Sequence, residues 1–170
     1  MTGFSMRIGY GYDAHKFAEI EDHSQVQQLV LGGVSIPHDK SLLAHSDGDV
    51  VIHSLCDAIL GSLSLGDIGQ HFPDSDPTYS GCDSSLLLNR VMEMASQGDW
   101  LVVNADITVV AQAPKLSPHI PFMRSKLAAL LDVPLDCVSV KATTTEGLGF
   151  EGRCEGIASN AVVLMGKSAL

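Results

Sequence analysis

The stretch that most constrains the fold is a polar loop that turns into an apolar helix, between residues 43 and 65. Ser46 and Asp49 have the spacing of a capping box, and an apolar run begins directly after them. His53 follows Asp49 by one helical turn, so both side chains are expected on one face. The ordinary interpretation is a capped helix with one satisfied histidine. The alternative is a functional site at the helix start, and the rest of the chain decides between the two.

Hydrophobic periodicity predicts a single domain, residues 1–170, in which strands alternate with helices. We expect an α/β (α+β) fold with a mixed β-sheet, helices packed on one face and a β-hairpin. Gly32-Gly33 between two short apolar runs indicates the hairpin. The other predicted strands cover residues 6–13, 101–111, 138–144 and 156–167. The predicted helices cover residues 47–65, 83–97 (ended by Gly98 as C′ residue) and 120–131.

Two polar segments are predicted as loops, residues 19–28 and 70–80. The second contains Pro73 and Pro77 and is either a mobile lid or an ordinary surface loop. Both lengthen the chain between elements without adding apolar periodicity. The predicted core therefore lies in the strands and the three helices.

The net charge of −10 limits the partners that the chain can bind. This charge argues against nucleic-acid binding, and it would repel a phosphorylated substrate unless cations or helix ends bind the phosphates. Four widely spaced cysteines without a CxxC pair predict a reducing compartment. The sequence has neither a signal-peptide pattern nor 18 consecutive apolar residues, so we expect no membrane partner. The expected location is cytoplasmic, with a processed plastid protein as the second interpretation.

Asp13 and His15 lie two residues apart on the first predicted strand and therefore point to the same side. With His53 from the helix they would supply one oxygen and two nitrogen ligands, a set that suits zinc with an open fourth position. An open position is typical of catalytic zinc. Alone, an Asp-x-His pair is only a weak indication. Asp57, one turn after His53, is either an acceptor that orients its ring or a solvated carboxylate.

A second chemical region lies between residues 141 and 153. Its three threonines supply hydroxyl groups, Glu146 is a candidate ligand for a hard cation, and Arg153 is a candidate phosphate contact. The ordinary interpretation is a threonine-rich strand that enters a glycine-rich turn. The glycines match neither GxGxxG nor the P-loop spacing, so neither of those nucleotide sites is predicted.

Several segments are characteristic in combination: Arg7-Ile8-Gly9-Tyr10-Gly11-Tyr12-Asp13-Ala14-His15, Leu43-Ala44-His45-Ser46-Asp47-Gly48-Asp49, Gly66-Asp67-Ile68-Gly69, Phe72-Pro73-Asp74, Ala111-Gln112-Ala113-Pro114-Lys115, Lys141-Ala142-Thr143-Thr144-Thr145-Glu146, Gly152-Arg153 and Glu155-Gly156-Ile157-Ala158. In this order they resemble the 2-C-methyl-D-erythritol 2,4-cyclodiphosphate synthases of the non-mevalonate isoprenoid pathway. The resemblance covers about residues 6–167. Tyr10 replaces a histidine often seen in the family, and Gly147 stands where lysine is frequent.

The resemblance implies an enzyme of the phosphorus-oxygen lyase class. Its substrate would be 4-diphosphocytidyl-2-C-methyl-D-erythritol 2-phosphate, whose 2-phosphate attacks the β-phosphorus so that CMP leaves and a cyclic diphosphate remains. The implied cofactors are Zn²⁺ and either Mg²⁺ or Mn²⁺. The implied assembly is a homotrimer with active sites between subunits, and an isoprenoid diphosphate in its central channel is a further implied ligand.

The resemblance also implies roles for individual residues. Asp13, His15 and His53 would bind zinc. Glu146 would bind the second divalent cation, and His45 and Thr144 would support the transition state. The implied substrate contacts are Asp13, His15, His45, Ser46, Asp67, Ile68, Gly69, Phe72, Pro73, Asp74, Ser75, Asp76, Ala111, Gln112, Ala113, Pro114, Lys115, Leu116, Ser117, Thr143, Thr144, Thr145, Glu146, Phe150 and Arg153.

Two other functions fit parts of the same pattern. A zinc-dependent phosphoesterase would use the same three ligands with an activated water and would release a linear phosphate. A non-catalytic trimer would bind an isoprenoid in its central channel, with Arg153 and Glu155 at one end. The products formed from the cytidylyl substrate distinguish these functions from cyclisation.

Overall fold

The structure is a computed structural model that describes residues 4–18, 27–73 and 75–168. Its strands are β1 (Phe4–Lys16), β2 (Gln27–Leu31), β3 (Val34–His38), β4 (Leu101–Val110), β5 (Val138–Thr143) and β6 (Gly156–Ser168). The main sheet has the order β1-β6-β4-β5, in which β4 and β5 are parallel and the other pairs antiparallel. β2 and β3 form the hairpin. The predicted mixed sheet and hairpin are therefore confirmed, whereas most of the predicted loop 19–28 lies outside the described residues.

The helices are α1 (Val50–Ser62), α2 (Ile68–His71), α3 (Ser84–Gln97), α4 (Ile120–Leu131) and α5 (Gly149–Gly152). α1 packs on β1 and β6 and α4 packs on β5, so these two helices cover one face of the sheet, and α3 packs on both of them. The core lies between these two layers and includes Leu55, Ile59, Ile107 and Val163. In the described part of the chain, no helix is long and apolar enough to span a bilayer.

Several predicted helix boundaries are wrong. α1 begins at Val50 and ends at Ser62, inside the predicted range 47–65. It ends before residue 65 because Ser64 adopts a left-handed conformation with φ of 59°. Gly98 is the C-cap of α3 and not its C′ residue, and Asp99 takes the left-handed conformation instead. The predicted loop 70–80 contains the end of α2 and a 3-10 turn at Pro77–Tyr79. Proline and a capping Asp76 favour that turn.

The N-cap of α1 is Asp49, so the predicted capping box of Ser46 and Asp49 is wrong. The Asp49 carboxylate accepts hydrogen bonds from two N–H groups of the first helical turn, at 3.0 and 3.1 Å. It also accepts the N–H groups of Gly32 and Gly33 in the hairpin turn, at 2.8 and 2.6 Å. Both glycines have positive φ, which turns their N–H groups toward the carboxylate. A contact distant in sequence thus decides which residue caps the helix.

β1 and α1 approach each other without side chains between them. An added Cβ at Gly9 would lie 1.8 Å from the carbonyl oxygen of Ala58, and one at Gly11 would lie 2.0 Å from that of Ser54. Asp13 and His15 continue the same face of β1 by strand alternation. The close approach therefore brings the start of α1 next to these two side chains.

The opposite face of the main sheet is exposed among the described residues, and its part around β1 is apolar. Met6, Ile8, Tyr10 and Tyr12 of β1 are 62%, 72%, 62% and 47% exposed, and the paired strands add Leu101 and Val162. We call these six residues the open sheet face. Exposed apolar patches of this kind mark interaction surfaces.

Candidate active site

The three predicted metal ligands meet where β1 passes the start of α1. Asp13 Oδ2 lies 3.0 Å from His53 Nδ1 and 3.2 Å from His15 Nε2, and the two ring nitrogens are 3.1 Å apart. Bonds of about 2.0–2.1 Å to a tetrahedral zinc ion separate neighbouring ligand atoms by about 3.3 Å. The three atoms thus match one face of such a tetrahedron. Among the described residues, they form a group that could hold a metal ion.

Asp13 and His53 each stabilise the charged form of the other. Burial would raise the pKa of Asp13, but hydrogen bonds and positive charge from His15 and His53 hold it well below its usual range. Burial would lower the pKa of His53, but the hydrogen bond and charge of Asp13 raise it above its usual value. An ionised carboxylate therefore faces two imidazoles, an environment in which a divalent cation can replace imidazole protons.

These side chains form one wall of an open pocket of about 630 Å³. Further predicted site residues that line the same pocket are His45, Ser46, Ile68, Gly69, Phe72 and Asp76. Leu43, Ala44, Tyr79 and Leu87 also line the pocket, although sequence reasoning did not assign them to the site. Leu43 and Ala44 belong to the characteristic segment around His45, which was the signal that could have included them.

Asp57 does not orient the His53 ring, since it is not among that ring's hydrogen-bond partners in the described part of the chain. Its Oδ1 instead accepts the N–H of Ile68 at 2.7 Å, and burial raises its pKa. Of the two alternatives for Asp57, the acceptor that orients the ring is therefore wrong, because the start of α2 approaches this turn of α1 and supplies a closer donor. Asp57 therefore fixes the segment that places Ile68 and Gly69 in the pocket.

Four other predicted site residues of this region either do not line the pocket or lie outside the described residues. Asp67 caps α2, and its carboxylate accepts hydrogen bonds from the N–H and the amide of Gln70 at 3.0 and 2.9 Å. Pro73 and Ser75 follow Phe72 and are exposed; they are not among the described residues that line the pocket. Asp74 lies outside the described residues.

The other predicted substrate contacts form a second group at the carboxyl ends of β4 and β5. The N–H of Ala111 donates to the carbonyl of Thr143 at 3.0 Å, which brings the two segments together. We call this group the threonine side: Ala111, Gln112, Ala113, Pro114, Lys115, Leu116, Ser117, Thr143, Thr144, Thr145 and Glu146. Within the described chain, it contributes no residue to the walls of the pocket.

On the threonine side, the polar groups bind one another. The hydroxyl of Thr144 donates to Glu146 Oε1 at 2.6 Å, and the hydroxyl of Thr145 donates to the carbonyl of Leu148. Glu146 has a φ of 54°, a left-handed conformation that is uncommon for a non-glycine residue. The two hydroxyls and the carboxylate are thus preorganised at an exposed turn.

Phe150 and Arg153 belong to neither of these groups. Phe150 lines a second cavity, of about 520 Å³, together with His15 and Glu155. Arg153 donates to both carboxylate oxygens of Glu155, at 2.8 and 3.1 Å. These contacts place Phe150 beside a metal ligand but direct the guanidinium of Arg153 to a neighbouring carboxylate.

The sequence did not reveal the role of two polar residues near His53 Nε2, which are Ser84 and Asp47. His53 Nε2 lies 2.9 Å from the hydroxyl of Ser84 and 3.1 Å from that of Ser46. The hydroxyl and N–H of Ser84 lie 2.5 and 3.1 Å from the carboxylate oxygens of Asp47. Ser84 and His53 are 31 residues apart, and a serine at the start of a helix is too common to signal a site.

Comparisons with known proteins show the family to which the chain belongs. The YgbB family model matches residues 6–166. The 2-C-methyl-D-erythritol 2,4-cyclodiphosphate synthase of Thioalkalivibrio sulfidiphilus is 58% identical over 161 residues, which cover 95% of this chain and 97% of that protein. A structural match to the bifunctional IspDF from Campylobacter jejuni has a TM-score of 0.89 and 41% identity, and it covers 99% of this chain and 43% of that longer chain.

A second solved structure, the CDP complex of IspF from Plasmodium falciparum, matches with a TM-score of 0.79 and 35% identity. That match covers 94% of this chain and 95% of the other. The resemblance to the cyclodiphosphate synthases is thereby confirmed over most of the chain. The chain belongs to the YgbB family.

Proposed function

We propose that this chain, as a single domain, converts 4-diphosphocytidyl-2-C-methyl-D-erythritol 2-phosphate to 2-C-methyl-D-erythritol 2,4-cyclodiphosphate and CMP, in non-mevalonate isoprenoid biosynthesis. One observation carries the proposal. Three ligand atoms, 3.0–3.2 Å apart, open onto a pocket of about 630 Å³ in a chain that is 58% identical to a cyclodiphosphate synthase. The CDP complex of a structural neighbour supports a cytidine diphosphate group in the substrate. The expected cytoplasmic location stays a prediction.

The reaction places few chemical demands on the side chains. Nucleophile and electrophile belong to one molecule, so the site has to bend the substrate and align the attack, and no side-chain nucleophile is needed. Asp13, His15 and His53 would hold Zn²⁺, and Glu146 would help to hold Mg²⁺ or Mn²⁺. When bound, the two cations supply Lewis-acid stabilisation of charge on the phosphate oxygens. They also offset the repulsion expected from a net charge of −10.

The pocket residues suggest how the erythritol half would be bound. His45 and Ser46 lie beside the metal ligands, where an imidazole and a hydroxyl can donate to phosphate oxygens. Ile68 and Gly69 line the pocket at the start of α2, and Phe72 and Asp76 line it from the following segment. We assign these residues to the erythritol phosphate. Thr144 and His45 would stabilise the transition state from opposite sides.

We propose that the pocket is completed by a second copy of the chain in a homotrimer. The threonine side holds many of the implied substrate contacts, yet among the described residues it does not reach the pocket of its own chain. The open sheet face offers an apolar surface for assembly. A closed three-fold ring repeats one heterologous contact and would bring the threonine side of one subunit to the pocket of its neighbour.

The same assembly would enclose a channel along the open sheet faces. Arg153 and Glu155 would lie at one end of it, where the guanidinium could bind a diphosphate. An isoprenoid diphosphate is therefore retained as a proposed ligand of the channel. The proposed site of this ligand is separate from the catalytic pocket.

The decisive experiment follows the products by phosphorus NMR. The protein is incubated with the cytidylyl substrate, Zn²⁺ and Mg²⁺, and the expected products are the cyclic diphosphate and an equal amount of CMP. A linear phosphate product would instead establish the phosphoesterase. Binding of CMP without turnover in the presence of both metals would establish the non-catalytic alternative.

A further inference from the structure

We infer that Ser84 and Asp47 are positioning residues that fix the tautomer and orientation of the His53 ring for metal binding. The inference rests on the metal site of the proposed function, and it assigns a role to two residues outside the ligand set. Its basis is a chain of hydrogen bonds that runs from the Asp47 carboxylate through the Ser84 hydroxyl to His53 Nε2.

The direction of each hydrogen bond follows from the groups involved. An ionised carboxylate only accepts, and the Asp47 carboxylate already accepts the backbone N–H groups of Ser84 and Asp49, at 3.1 and 3.2 Å. The hydroxyl hydrogen of Ser84 therefore points to Asp47. Its oxygen is left to accept a hydrogen bond, and the imidazole nitrogen 2.9 Å away is the partner. His53 Nε2 must then carry the hydrogen.

This assignment determines the chemistry at the other ring nitrogen. A neutral imidazole with its hydrogen on Nε2 has a lone pair on Nδ1. Nδ1 is the atom that lies 3.0 Å from Asp13 Oδ2 and 3.1 Å from His15 Nε2. The lone pair therefore points to the position that a shared cation would occupy. The opposite tautomer would direct an N–H group to that position and block coordination.

Burial makes this hydrogen-bond chain persistent. Ser84 is completely buried, and His53 is 8% exposed, so water has little access to the hydrogen bond between them. In an environment of low dielectric constant, a fully satisfied chain of this kind holds its members in one geometry. The hydroxyl of Ser46 is a weaker partner because it lies 3.1 Å from Nε2 and also accepts the N–H of Gly48 at 3.3 Å.

The hydrogen-bond chain also joins three parts of the fold. Asp47 belongs to the loop before α1, Ser84 is the first residue of α3, and His53 lies on α1. The N–H of Asp47 additionally donates to the carbonyl of Cys82 at 3.1 Å, which ties the loop to the segment that leads into α3. The ring is therefore held from two separate elements.

The test compares four variants. Ser84→Ala and Asp47→Ala interrupt the hydrogen-bond chain, whereas Ser84→Thr retains the hydroxyl. Ser85→Ala is the matched control, because Ser85 is the next residue of α3, is 6% exposed, and has a hydroxyl without a hydrogen-bond partner among the described residues. Zinc affinity is measured by competition with a chromophoric chelator. The hydrogen on His53 Nε2 is observed by ¹⁵N NMR in the zinc-loaded protein, because the Asp13 carboxylate can accept a hydrogen from Nδ1 when no metal is bound.

Loss of a hydrogen-bond partner behind a metal-bound histidine typically weakens metal affinity about 10–100-fold. We expect that loss in Ser84→Ala and Asp47→Ala, with affinity largely restored in Ser84→Thr and unchanged in Ser85→Ala. In the zinc-loaded wild-type protein, the Nε2–H of His53 should exchange slowly with water, and in Ser84→Ala it should exchange faster.

Equal zinc affinity in Ser84→Ala and Ser85→Ala, with zinc binding by the wild-type protein intact, would overturn the inference alone. If Ser84→Ala does not fold, the wild-type protein decides: an Nε2–H that exchanges as fast as that of an exposed imidazole would also overturn the inference. Failure of the wild-type protein to bind zinc would instead refute the metal site of the proposed function.

Discussion

The two halves of the candidate site are built differently. The side around Asp13, His15 and His53 lies between a strand and a buried helix, and its ligand atoms meet through contacts between residues 38 and 40 positions apart. The threonine side lies at exposed strand ends, and its polar groups bind residues one to three positions away. A metal site needs fixed distances, which a buried frame provides, whereas the hydroxyls and the carboxylate of the threonine side form local hydrogen bonds at an exposed turn. Under the proposed assembly, a single chain would hold zinc and two chains would be needed for turnover.

The first prediction removes a ligand from the buried side. His53→Ala should abolish zinc binding and nearly all turnover while the variant still assembles, because two ligands with an open coordination sphere hold zinc weakly. Metal content after dialysis and cyclisation rate measure the two effects. His119→Ala serves as the control, since His119 precedes α4 and is not among the described residues that line the pocket. Cyclisation at the parent rate by His53→Ala would show that the ligand assignment is wrong.

The second prediction separates metal binding from assembly. Ile8→Asp places a charge on the open sheet face, where the side chain is 72% exposed, so the isolated fold should tolerate it. We expect dissociation to monomers and loss of turnover, with one zinc ion per chain retained. Phe122→Asp is the matched control, because Phe122 is 65% exposed on α4 at the helical layer. Sedimentation analysis gives the oligomeric state, and a catalytically active monomer would contradict the need for two chains.

The third prediction combines two inactive variants. Glu146→Gln alters the threonine side and His53→Ala alters the buried side, so each variant alone should have little activity. If a site takes one side from each of two neighbouring subunits, random mixing at equal amounts restores about one quarter of the sites. Activity is measured after co-expression with two affinity tags. A mixture of His53→Ala and His15→Ala is the control and should recover nothing; absence of recovery in the first mixture would place both sides within one chain.

The fourth prediction concerns the anchor of the buried side. Asp49→Ala removes the acceptor of four backbone N–H groups and should cost about 2–4 kcal/mol of unfolding free energy, more than a helix cap alone. Asp83→Ala, which removes the N-cap of α3, should cost about 1 kcal/mol. Denaturant unfolding of the two metal-free variants measures the difference. Equal losses would mean that the hairpin contacts of Asp49 contribute nothing.

The smallest effect is expected for a thiol. Burial raises the pKa of Cys56 well above its usual value, and the charge of Asp57 raises it further. The thiolate is the reactive form, so Cys56 should not react with a thiol reagent at pH 8 in the native protein. Thiol titration should therefore count at most three of the four cysteines before denaturant is added. Reaction of all four in the native state would show that α1 opens readily.

The sequence predicted the elements whose signals are local. The hairpin follows from Gly32 and Gly33, the bounds of α4 were predicted to the residue, and strand alternation was enough to pair Asp13 with His15. The predicted elements also gave the correct sheet class, because their alternation restricts the arrangements that can bury the apolar faces.

The errors concern choices between local patterns that a distant contact decides. Ser46 and Asp49 can each cap a helix, and the two N–H groups of the hairpin select Asp49. Asp57 has the right spacing to contact His53, but the N–H of Ile68 binds it instead. Ser84 reaches His53 only because α3 packs on α1. Spacing along one helix cannot reveal a donor or acceptor that another element brings.

The contact between Gly9, Gly11 and α1 has a consequence for metal affinity. Since the helix backbone rests directly on the strand, even one methyl group at Gly11 would lift α1 and carry His53 away from Asp13. Gly11 has no polar side chain and is not among the described residues that line the pocket. Its substitution would nevertheless weaken metal binding, as the loss of a ligand would. The distance between the backbones of β1 and α1 thus sets the distances between the three candidate metal ligands.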